Sequence, residues 1–198
     1  MYNILTDGLP KEYDGYLINY QYYNGILIND CLTDDEQLFD NTDSGRLEKL
    51  YTAFTILYGN GIPNNIDTAL AGLNWFMSCG QDNEEDRKDK TKYFCFNQDS
   101  QYIYSAFRMK YNINLAKDID LHWFEFIYLF NDLSKTAFRE IVNIRMMKPK
   151  DMKNYSKEAK LEIKKQKEKF KLKNNNIEDY LTDEERKKVD DFYNFIGS

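Results

Sequence analysis

Proline is scarce in this chain, with three in 198 residues, and glycine is modest at nine. So few breakers argue against a loop-rich β fold and for long helices. Histidine is scarcer still: His122 stands alone. The three cysteines, Cys31, Cys79 and Cys95, are widely spaced and odd in number. Without a CxxC or HxxxH spacing, the close-set ligands of a zinc site are missing. The cysteine pattern predicts reduced, mostly buried thiols in a cytoplasm, not a disulfide framework. No apolar run approaches the roughly eighteen residues of a membrane span. The opening MYNILTDGLPKEYDG has neither the basic nor the apolar region of a signal peptide, so an intracellular, unsecreted protein is expected. Gly59-Asn60-Gly61 lacks the further Gly and Lys of a phosphate-binding loop.

Aromatic side chains, by contrast, are plentiful. They make up 16% of the chain, with 16 Tyr and 13 Phe, so rings must supply much of the packing. They are densest between Tyr102 and Met147. Read as a helix, residues 121–130 are apolar on nearly every side: Leu121, Phe124 and Tyr128 on one, Trp123, Ile127 and Phe130 on another. Such a helix has to be covered from several directions. The fold class that follows is mainly α, a helical domain around a buried central helix, with a short extended N-terminal arm and a helical C-terminal tail.

Periodicity predicts the other elements. Tyr16-Leu17-Ile18 reads as a short strand or an extended arm, after the punctuation of Gly8, Pro10 and Gly15. A helix is expected over 20–32 with Tyr23, Leu27 and Cys31 along it, although Gly25 costs it about 1 kcal/mol relative to alanine. Leu47, Leu50, Tyr51, Phe54, Leu57 and Tyr58 mark a helix near 46–58, stopped by Gly59, Gly61 and Pro63. The next, near 65–79, is capped by Asn65 and striped by Ile66, Ala69, Leu70, Leu73, Phe76 and Met77, with Gly80 placed for a left-handed C-terminal cap. These two are expected to pair antiparallel. Tyr93–Phe96 is a strand or a strap across the core. Helices follow near 99–111, 119–131 (capped by Asp118 or Asp120) and 136–146.

Charge divides the chain further. Residues 1–147 hold 13 basic and 22 acidic side chains, net −9; residues 148–173 hold 11 Lys and 4 acids, net +7; residues 174–198 hold 3 and 7, net −4. A core domain 1–147 and a charged tail 148–198 are therefore expected, the tail with a basic helix over 154–172 and an acidic helix over 182–196. Tyr155, Ala159, Ile163, Gln166 and Phe170 draw a thin apolar line on the basic helix, which buries little by itself. It either lies along the domain or awaits a partner. Thr182 and Glu185 form a capping-box signature for the terminal helix, whose stripe is Val189, Phe192, Tyr193 and Ile196.

No catalytic residue, metal ligand or cofactor is assigned, and a non-enzyme is expected. His122 reads as a hydrogen-bonded core residue. A Cys–His pair with Cys79 or Cys95 stays open only because such pairs meet in space. Acidic runs such as Glu84-Glu85-Asp86 read as solvated loop. The lysine-rich helix has the clustered charge that phosphate contacts need, but it lacks arginine for base readout and is interrupted by four acids. It reads more readily as a solvated or partner-binding surface than as a nucleic-acid interface.

Several segments resemble the bacteriophage gene-product-fifteen family of Gram-positive siphophages and prophages. They are NILTDGLP, TALAGLNWFMSCG with YIYSAFRMKYNINL, and most specifically DLHWFEFIYLFNDLS followed by FREIVNIRMM and a lysine-rich helix. The likeness covers about residues 1–172. Trp123-Phe124 stands where members often have two tryptophans, and 174–198 falls outside the pattern. The resemblance implies a role in tail morphogenesis, because the family's genes tend to precede the tape-measure gene. The expected function is a non-enzymatic tail assembly chaperone in the host bacterial cytoplasm. Its partners would be the tape-measure and other tail proteins, with no membrane or nucleic acid, and a homo-oligomer is compatible with the reading. The partner-binding candidates are Tyr155, Ala159, Lys160, Ile163, Lys164, Lys167, Phe170, Phe192 and Ile196. The alternative is a nucleic-acid-binding phage accessory protein that uses the lysine helix.

Overall fold

The computed structural model describes residues 2–33, 42–81 and 92–173. The chain begins with a one-turn helix, α1 (Ile4–Asp7), then a hairpin of β1 (Glu12–Tyr13) and β2 (Tyr16–Leu17) in register Glu12 with Leu17 and Tyr13 with Tyr16. Its two turn residues both have positive φ, Asp14 at 50° and Gly15 at 79°, as the tightest twisted hairpin requires. Tyr16-Leu17 is thus a strand, and the arm ends at Ile18, which is buried.

Six helices, α2 to α7, build the core among the described residues. α2 (Tyr22–Thr33) packs most extensively on α3 (Asp43–Tyr58), and also on α6 (Trp123–Asn131); α3 meets α4 (Ile66–Met77). The helix expected near 46–58 starts three residues earlier, because the Thr42 hydroxyl accepts from Gly45 N–H and caps it there. Asn65 caps α4 as expected, accepting from Asp67 N–H. At the other end of α4 Gly80 is left-handed as expected (φ 71°), and so is Cys79 before it (φ 55°). Gly80 N–H reaches Trp75 O at 2.8 Å and Cys79 N–H reaches Phe76 O at 3.1 Å, the bond pair of a Schellman ending. The stripe expected for α2 is corrected: Tyr23 and Leu27 face water, while Gly25 and Ile28 are buried.

The central helix α6 is shorter than 119–131. It begins at Trp123, and its cap is His122, not Asp118 or Asp120. Residues 115–121 turn instead, with the Asp118 carboxylate accepting from Asn114 N–H at 2.6 Å. Trp123, Phe124, Phe126 and Phe130 are all buried, and Phe126 is ringed by Tyr22, Phe96, Phe107, Trp123 and Phe130 at centroid distances of 5.0–6.0 Å. The fully buried rings of Phe76, Phe107, Trp123, Phe124 and Phe126 together contribute on the order of 10 kcal/mol of apolar transfer.

Residues 92–95 form no helix and pair with no strand, so this segment is the strap. Phe94 wedges against Phe130 and Phe138, and Phe96 against Trp123 and Phe126. α5 (Ser100–Tyr111) ends at Asn112 in a left-handed cap and packs on α6 and on α7 (Ala137–Met146). After a 3-10 turn (Pro149–Met152), α8 (Lys157–Lys169) lies along α7. The basic helix is therefore docked on the domain. The acidic helix expected at 182–196 lies outside the described residues. The architecture is mainly α-helical, with one two-stranded sheet among the described residues.

Candidate partner-binding surfaces

One arginine ties the end of the tail helix to the core. Arg145, in the last turn of α7, donates from Nη1 and Nη2 to the two carboxylate oxygens of Asp99 at 2.7 and 2.8 Å. Both side chains are nearly dry, 10% and 2% exposed. The same guanidinium donates to Tyr93 O on the strap at 3.1 Å and to Phe170 O at the end of α8 at 2.6 Å. Asp99 accepts in addition from Cys95 N–H at 3.1 Å. A planar fork with several fixed donors suits this junction in a way lysine would not. Four segments thus converge on one ion pair. Sequence reading missed it, because Asp99 was placed only as a helix start and Arg145 only within the FREIVNIRMM segment.

The predicted partner-binding residues of α8 divide between two environments. Ala159, Ile163 and Phe170 are half-buried. Lys167 Nζ donates back to the carbonyls of Arg145 and Met147, so its charge serves the docking of α8. Tyr155, Lys160 and Lys164 are exposed, with Lys160 Nζ donating to Lys153 O at 3.3 Å. Phe192 and Ile196 lie outside the described residues. Between α7 and α8 runs a groove of about 460 Å³, with Ala137, Ile141, Ile144 and Phe170 as its apolar wall and Lys165 and Lys169 on its rim.

A second groove, of about 310 Å³, lies between α3 and α4 and is lined by Leu47, Leu50, Tyr51, Phe54, Ile62, Pro63, Asn64, Ile66 and Ala69. The sequence stripes assign Leu47, Tyr51 and Ile66 to the core. They are instead 63%, 65% and 57% exposed. No neighbouring element among the described residues covers them. An apolar cluster left open on a surface marks an interaction site more often than an isolated exposed leucine does.

His122 is structural. Its Nδ1 accepts from Phe124 N–H at 3.0 Å and its Nε2–H donates to Pro10 O at 2.7 Å, which ties the N-terminal arm to the head of α6. Both bonds are those of the neutral ring. Burial, with a smaller push from the Lys11 charge, holds its pKa below the usual histidine value against the opposing bond to Pro10. The unfolded chain therefore takes up a proton as pH falls below about 6.5 while the folded chain resists it. The neutral histidine's contribution is complete above that pH and is lost on acidification toward the lower folded value. His122→Asn, which preserves a cap, is expected to lower stability at pH 7.5 by about 1 kcal/mol through the lost Pro10 bond. It should also flatten the fall between pH 7 and 5; equal pH slopes in urea titrations of the two proteins would remove this role. Burial likewise pushes the Cys79 thiol up to about 12. Among the described residues no three potential metal ligands cluster, and no helix is long and apolar enough to cross a membrane.

A mainly α-helical scaffold carrying open grooves between helices is the class that this geometry defines. The model of the Bacteriophage Gp15 protein family matches residues 5–172, and the chain belongs to that family. The match ends within three residues of α8, so it takes in the docked tail and stops before the acidic segment. No curated protein and no solved structure matches the chain.

Proposed function

We propose that this phage protein is a non-enzymatic tail assembly chaperone that holds the tape-measure protein in the host cytoplasm. The observation that carries the reading is the open apolar groove between α3 and α4, on a chain of the Bacteriophage Gp15 family. A factor that shields a long helical protein until tube subunits replace it needs reversible contacts with apolar stripes. The α3–α4 groove offers such a seat for side chains spaced along one helix face. Tyr155, Lys160 and Lys164, exposed along the tail and α8, form a second, polar contact.

The test is co-expression with the tape-measure protein of the same genome, followed by affinity purification. Soluble, stoichiometric capture is expected. The pair Tyr51→Glu, Ile66→Glu should cut capture at least tenfold, about 1.4 kcal/mol of binding, and leave Tm nearly unchanged because both side chains already face water. Capture unaffected by the pair would reject the groove. An insoluble tape measure, with this protein retained on DNA in a steeply salt-dependent way, would favour the nucleic-acid reading of α8 instead.

A further inference from the structure

The groove between α7 and α8 has two kinds of surface. Ala137, Ile141, Ile144 and Phe170 make it apolar inside, while Lys165 and Lys169 stand exposed on its rim beside Glu140 and Glu162. The last described residue is held at one end of this groove. Lys173 N–H donates to Gln98 Oε1 at 2.8 Å, and Gln98 Nε2 donates to Lys173 O at 2.6 Å. Gln98 is one turn ahead of Tyr102, and Lys173 is three residues past Phe170; both Tyr102 and Phe170 line the groove.

Residues 174–198 follow from that point and lie outside the described residues. Their sequence has seven acids against three basic side chains and spaces Val189, Phe192, Tyr193 and Ile196 as one helix face, with Asp190 and Asp191 beside them. An apolar stripe bordered by acids complements an apolar wall with a lysine rim. Arg186, Lys187 and Lys188 supply the smaller basic share that Glu140 and Glu162 would meet. Reach is ample: from Glu162 to Phe170 a helix rises roughly 12 Å at about 1.5 Å per residue, while the chain between Lys173 and Val189 spans several times that at about 3.3 Å per residue. A short tether gives an effective concentration of the order of 1 mM. A contact as weak as about 100 μM between separate molecules would thus be about nine-tenths formed within one chain.

We propose that the groove between α7 and α8 is the seat of the chain's own C-terminal segment, residues 174–198. The proposal stands apart from the chaperone reading, whose partner is assigned to the α3–α4 groove. The test uses the full chain and a zero-length carbodiimide, which joins lysines only to carboxylates in contact, followed by mass spectrometry of the one-chain species. Links from Lys165 or Lys169 to acids within 183–191 are expected, and the double substitution Phe192→Glu, Ile196→Glu should reduce their yield about tenfold. Circular dichroism of that variant controls for the fold of the core. Links spread evenly over all the lysines, or unmoved by the double substitution, would overturn the seat. Links found only between two chains would overturn it in favour of exchange between copies. Loss of the links with tape-measure capture intact would remove the seat alone.

Discussion

Gly25→Ala is expected to destabilise the protein by at least about 2 kcal/mol, although alanine is the better helix former by roughly 0.5–1 kcal/mol. A Cβ at residue 25 would lie 2.2 Å from Cδ2 and Cε3 of Trp123. The indole has nowhere to retreat. Trp123 is 2% exposed and is stacked against Phe76 and Phe126 at 6.2 and 5.7 Å. α2 must therefore move off α6, or the ring cluster must open. Chemical denaturation reads the change as a lower midpoint at unchanged slope. Trp123→Leu in the same chain should recover part of the loss, because the two sites share one space and cannot be additive. A Gly25→Ala protein as stable as the original would mean that α2 does not seat on Trp123.

Arg145→Met is expected to cost about 3–5 kcal/mol, the usual cost of leaving one member of a buried ion pair alone. Asp99 would keep its bond from Cys95 N–H but lose both guanidinium donors in a nearly dry site. For a chain of this size the loss corresponds to a Tm lower by roughly 6–20 °C. Tyr93 O and Phe170 O lose their donor at the same time, so the strap and the end of α8 loosen together. Hydrogen exchange in α8 should rise more than in α4, which does not touch the pair. Asp99→Asn combined with Arg145→Met removes both charges and should be less harmful than Arg145→Met alone. If the double variant is the worse of the two, stranded charge is not the source of the cost.

Much of the helical layout was legible in the chain. Asn65 caps one helix and Asn112 ends another where local chemistry says they should, because a cap depends on residues within one turn of it. The aromatic density of 121–130 correctly marked the centre of the core. The start of that helix was not legible. His122 caps it only because Pro10, 112 residues away, supplies the acceptor that fixes the ring. Asp118 and Asp120 look like better caps locally, yet Asp118 is spent on the turn at Asn114. Among the predicted contact residues, Tyr155, Lys160 and Lys164 stay exposed, while Lys167 and Phe170 are drawn into docking α8. The α3–α4 groove was hidden for a related reason: Leu47 and Tyr51 share helical spacing with buried Phe54, and spacing describes a face without saying how wide the neighbour is.

The sequence by itself determined that the protein is helical, where most helices lie, and that its core is built of rings. Those properties follow from period, caps and composition, all of which act over a few residues. Only the tertiary structure decided which apolar residues are left in water, that α8 docks on α7, and that Asp99 meets Arg145. Each of these rests on contacts between segments distant in the chain, and a pairing of two distant side chains leaves no periodic trace in either segment.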